Sequence, residues 1–139
     1  MKKIFLELVV IFLIVASLGG FYVLKSNHEI GKRKIAETMV YNHLDHLSTI
    51  YIGLSLANEI YMISQNSEIL KTRSFEARRA IEILDDMRKY LEVFEGFPLD
   101  DFDKELSNLR EEFDKGDPYG ATENLANFIK FVSINFDES

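Results

Sequence analysis

A chain of 139 residues has room for one domain once its apolar first segment is set aside, and the roughly 110 residues that remain are enough for a compact helical core. Cysteine is absent, which excludes disulfides, thiolate catalysis, iron-sulfur clusters and cysteine zinc sites. The net charge of -7 divides unevenly, with six Lys or Arg against Glu7 and Glu29 in residues 1–34, a net +4, and -11 on residues 35–139, so nucleic acid, whose binding rests on Lys and Arg neutralising phosphates, is discounted as a partner.

The first predicted element is a membrane helix over residues 4–24, with residues 1–27 as an anchor and residues 28–139 as a helical domain. The run from Ile4 to Leu24 contains one charge, Glu7. At about 1.5 Å per residue it reaches about 31 Å, the thickness of a bilayer hydrocarbon core. Lys2 and Lys3 precede it, Lys25 follows it, and Phe21 and Tyr22 fall where aromatic side chains favour the interface. Glu7 lies one turn inside, able to snorkel to the head groups or to bind a proton. Ala16 and Gly20 form a small-xxx-small pair that lets membrane helices approach closely.

Ala16, Ser17, Gly19 and Gly20 also have the outline of a secretory signal. The apolar run, however, continues past them to Leu24, longer than the usual signal core of about 7–15 residues, and predicts an uncleaved anchor. Lysines and arginines are more numerous after the run than before it. The two-lysine head directly before the run is the layout of a signal anchor, and predicts an N-terminus inside with the bulk of the chain extracytoplasmic.

The stretch LELVVIFLIV from Leu6, with its glutamate near the start of an apolar helix, resembles the N-terminal helix of type IV pilins, which implies a pilin-like subunit as one reading. The leader-peptidase glycine of that family is missing several residues before Glu7, and pilin domains are mostly sheet.

Past the anchor the predicted fold is all-α, a small antiparallel bundle of about four helices. Val40, His43, Leu47, Ile50, Leu54, Ala57 and Tyr61 recur at steps of three and four, the spacing of a core-facing stripe, and Gly31 is only a mild obstacle to continuity with the anchor. A second helix is predicted from an N-cap at Ser74, through Ala77, Ala80, Leu84, Met87, Leu91 and Phe94, to a left-handed cap at Gly96 followed by Pro98. Asp100 or Asp101 is the expected cap of a third, with Phe102, Leu106, Leu109 and Phe113 inward and Gly116 at its end. Asp117 and Pro118 start a fourth, carrying Leu125, Phe128, Ile129, Val132 and Phe136.

This last hairpin, KGDPYGATENL followed by NFIKFV, resembles the turn of tetratricopeptide-type helical hairpins over about 35 residues, the size of one such unit. The resemblance implies a packing style, and the proline after Asp117 departs from the usual spacing.

Three places invite a chemical reading. His43 and His46, three apart on one helix, could share a metal if another helix supplied further ligands. Asp101, Asp103 and Glu105 alternate as in a calcium loop, without its glycine at the sixth position or glutamate at the twelfth. Between Asp100 and Asp117 eight acids face Lys104, Arg110 and Lys115, and Asp103, Glu111 and Glu112 are the candidate partner-binding residues. No nucleophile elbow, phosphate loop or dinucleotide fingerprint occurs, so no catalytic residue and no cofactor is expected. The expected function is that of a membrane-anchored interaction protein, an accessory, assembly or anchoring subunit that meets the lipid bilayer and another membrane or envelope protein. The alternative is an extracytoplasmic ligand-sensing domain signalling through a partner.

Overall fold

In the computed structural model residues 2–139 are described, with side chains from Glu7 onward, so the flanking Lys2 and Lys3 side chains and those of Ile4 to Leu6 lie outside the described residues. All regular elements among them are helices: α1 (Lys2–Ser64), α2 (Glu68–Glu82), α3 (Leu84–Leu91), α4 (Leu99–Lys115) and α5 (Pro118–Glu138). The chain divides into two compact units, residues 1–35 and residues 36–139.

In the first unit, α1 is long and apolar enough to cross a membrane, and its most apolar window is wholly exposed. Leu8 to Val15, Leu18 and Phe21 to Leu24 stand clear of any packing. The Ser17 hydroxyl donates to the Leu13 carbonyl at 2.7 Å, so the serine is satisfied within its own helix.

In the second unit the remainder of α1 contributes Ala36, Val40, Leu44, Leu47, Leu54 and Ala57 to one hydrophobic core, with His43, Ile50 and Tyr61 half-buried beside them. All nine expected core positions, Leu47, Leu54, Leu84, Leu91, Leu106, Leu109, Leu125, Phe128 and Val132, are buried in it. Tyr41 of α1 meets Phe136 of α5 edge to face, with ring centroids 5.3 Å apart, and donates its hydroxyl to Asp137 at 3.3 Å.

The boundaries of the middle helices differ from the sequence expectation. Ser74 is no N-cap but lies inside α2, which starts six residues earlier at Glu68. Gln65 leaves α1 in a left-handed conformation, φ 56, and the Asn66 side chain then accepts the Glu68 N–H at 3.0 Å, which starts the new helix ahead of Ser74. A single helix through residues 75–95 is replaced by α2 and α3, which part at Ile83. Neither glycine nor proline marks the parting; Arg110 reaches across from α4, its Nη2 donating to the Ile81 carbonyl at 3.4 Å and to Asp85 at 3.2 Å. Arg78 of α2 reciprocates by donating to the Phe113 carbonyl in the last turn of α4.

α3 ends at Leu91 rather than at Gly96, whose φ is not left-handed. The chain leaves the helix early through successive turns that carry Phe94 and Phe97 inward, against Phe136 at 4.8 Å and against Phe102 and Phe131 at 6.1 and 6.2 Å. Pro98, not Asp100 or Asp101, takes the N-cap position of α4; the two aspartates lie in its first turn, where the helix dipole favours negative charge. Gly116 ends α4 at φ 76, and Asp117 caps α5 by accepting the Tyr119 N–H at 3.0 Å, both as the sequence predicts.

Candidate functional site

Three of the seven acids of α4, Asp103, Glu111 and Glu112, are engaged within the chain. Asp103 accepts from Arg88 Nε at 2.7 Å and from Nη2 at 3.0 Å, a bidentate pair joining α3 to α4, while the same arginine meets Glu92. Lys115 holds Glu111 at 3.3 Å and Glu112 at 2.7 Å, and these carboxylates raise its pKa. At about 100° of rotation per residue, Glu112 lies roughly half a turn around the axis from Asp103, so Asp103, Glu111 and Glu112 do not share one face.

His43 packs half-buried against Tyr90, with ring centroids 6.3 Å apart, and His46 is exposed. Among the described residues no three His, Cys, Asp or Glu side chains converge as a metal-binding group. Burial lowers the His43 pKa, opposed by the attraction of Asp86 and assisted by the repulsion of His46. The folded state therefore holds its proton less tightly than the unfolded chain, so this contribution to stability is present above 6.5, the unfolded value, and lost as pH falls toward the lowered folded value. Urea midpoints compared at about pH 7.5 and 5 should show an acid loss that is smaller in His43→Gln, and an identical loss in the two proteins would contradict this assignment.

Of the membrane-segment residues, Glu7, Ala16, Gly20, Phe21 and Tyr22 are all exposed along α1. The space a Cβ would take at Gly20 is open, so another helix can approach there without displacing any described atom.

A groove of about 710 Å³, not foreseen from the sequence, lies between the C-terminal end of α1 and the start of α5. Asn58 forms part of its wall, buried at 5 % exposure one position after Ala57 on the core stripe. Its Nδ2 donates to Thr122 Oγ1 at 2.8 Å and to the Pro118 carbonyl at 3.4 Å, and the Thr122 hydroxyl donates to the same carbonyl. Asn58 Oδ1 is buried and accepts no hydrogen bond from any described residue. Glu59, Met62, Ile63, Tyr119, Glu123 and Asn127 line the part of the groove open to solvent. Tyr119 also borders a second groove of about 590 Å³, where Lys71 and Arg78 lie beside Tyr61 and Phe75. The signal in the sequence is the amide at position 58, four residues after Leu54 and three before Tyr61 of the core stripe.

Because its carbonyl is unpaired, Asn58 contributes little to folding for a residue so buried. Asn58→Leu, which keeps the same branched heavy-atom skeleton and has an open groove beside it for its greater bulk, is expected to hold the urea midpoint or raise it, by up to about 1 kcal/mol. A loss larger than that would make the amide a structural strut.

No protein-family profile, curated protein or solved structure matches the chain.

Proposed function

We propose that the chain is a single-pass membrane protein, anchored by residues 4–24, whose helical domain docks other proteins as an accessory, assembly or anchoring subunit of a membrane or envelope complex. The observation that carries the reading is the succession of exposed apolar side chains from Leu8 to Leu24 on one helix, none of that window being buried by the rest of the chain. Lipid suits such a helix because its backbone groups are satisfied internally and its side chains need no aqueous contact. Residues 36–139 then form the docking domain, an antiparallel helical bundle with the two-residue Gly116–Asp117 link setting α4 and α5 side by side, on the extracytoplasmic side. Confinement at the bilayer raises the domain's effective concentration against neighbouring membrane proteins.

A second observation supports docking over catalysis. Ile52, Leu56, Ile60 and Ile63 are exposed on α1 in the second unit, away from its buried face. Apolar side chains gathered in this way mark interaction surfaces. Crosslinking in native membranes, followed by affinity recovery of the full chain and mass spectrometry, tests the reading. A membrane or envelope protein recovered reproducibly with this chain is the expected result; recovery of the chain alone, across crosslinkers of several lengths, would sink it.

The groove beside Asn58 favours one rival, a ligand-sensing domain, since its volume is that of small-molecule sites. Native mass spectrometry of the gently extracted protein separates the two: a stoichiometric small molecule retained on the chain belongs to the sensor reading.

A further inference from the structure

We infer that the groove between the C-terminal end of α1 and the start of α5 receives a basic amphipathic helix of a partner protein. The inference rests on the docking role proposed above and names its surface and the chemistry of the occupant. Over residues 52–63 α1 carries two apolar faces. Leu54 and Ala57 belong to the core, while Ile52, Leu56, Ile60 and Ile63, at steps of four, four and three, form a second stripe in solvent, with Ile63 at 87 % exposure. That stripe is about 16 Å long, three helical turns, and Ile63 belongs both to it and to the groove wall. A small molecule would use the groove alone. A helix laid in the groove meets Met62 and Ile63 and reaches that stripe at its Ile63 end, the rest of the stripe lying about 100° further round α1.

Charge selects the sign of the partner. Glu59 and Glu123 stand in the groove wall, and among the described residues neither has an ion-pair partner, in contrast to Asp103, Glu111 and Glu112. Lysines or arginines flanking an apolar helix face would meet them. Asn58 Oδ1, buried behind the same wall, has no donor among the described residues. A second copy of this chain fits poorly, because residues 35–139 carry -11 and pairing would bring like charges together.

The test uses the full chain in phosphatidylcholine nanodiscs and a fluorescent synthetic helix of about 16 residues, roughly four turns, with leucines on one face and lysines on its flanks. A matched peptide carries glutamate in place of lysine. The lysine peptide should bind and the glutamate peptide should not. Glu59→Gln with Glu123→Gln should weaken binding about tenfold, whereas Asp101→Asn with Asp114→Asn, the same change in net charge on α4, should weaken it less than about twofold. Equal losses in the two double variants, or no binding by the lysine peptide, overturn the inference. A photocrosslinking p-benzoylphenylalanine at Met62, against one at Ile134, carries the test to native membranes. An adduct from Met62 mapping to an apolar segment with flanking lysines or arginines supports the groove; one mapping to an acidic segment or to a second copy of this chain overturns it. Adducts from Ile134 alone overturn the groove and leave the docking role standing, and adducts from neither site remove the docking role itself.

Discussion

Replacing Phe102 by alanine is expected to cost about 3–5 kcal/mol, the largest loss from a single truncation in the helical domain. The residue is fully buried, and its ring lies 5.4 Å from that of Phe128 and 6.1 Å from that of Phe97. It therefore joins three segments, α4, α5 and the turns after α3, at one point of the core. A cavity there cannot be closed by one side chain settling inward, because the neighbouring rings belong to elements fixed by their own contacts. Since a domain of this size has a total stability on the order of 5–15 kcal/mol, Phe102→Ala should lower the urea midpoint strongly, while Phe102→Leu should cost about 1.5 kcal/mol or less. A loss below about 0.5 kcal/mol for the alanine variant, the range of surface changes, would mean that α4 does not pack as described.

Arginine at both Leu13 and Val15 is expected to move the protein out of the membrane fraction. The two positions lie near the middle of residues 4–24, where each arginine costs about 2.5–3.5 kcal/mol on the insertion scale. The pair therefore opposes insertion by about 5–7 kcal/mol, enough to reverse the partition of a single helix. Arginine at both Ile52 and Leu56, which are as exposed but belong to the second unit, should leave membrane retention unchanged. Retention of the Leu13, Val15 double variant after alkaline extraction would contradict the assignment of the span.

How far the sequence spoke depended on what each residue had to do. The core was readable because a three-four spacing of Leu, Phe and Val has one economical explanation, and Leu84, Met87 and Leu91 are buried even though the helix expected around them is two helices. Asp117 with Pro118 and the left-handed Gly116 were readable because their roles are local, a cap, a fixed first turn and a positive φ. The parting at Ile83 was not, since what sustains it is Arg110, 27 positions later and legible only in three dimensions. Gly96 misled for the complementary reason: the burial of Phe94 and Phe97 against rings of α4 and α5 overrides the local preference for glycine at a helix end. The acidic excess of α4 was visible as a count, but its pairing with Arg88 and Lys115 was not. The groove at Asn58 depends on Thr122 and Glu123, more than sixty residues away, and left only the misplaced amide as a trace.

The central claim, a helical docking domain held at a bilayer by an uncleaved first helix, is tested most directly by the intact mass of the protein recovered from alkali-washed membranes. A species that retains residues 4–24, 16.1 kDa for this chain, is expected in the membrane pellet. A shorter species released into the aqueous fraction, with its N-terminus near Phe21, would contradict it.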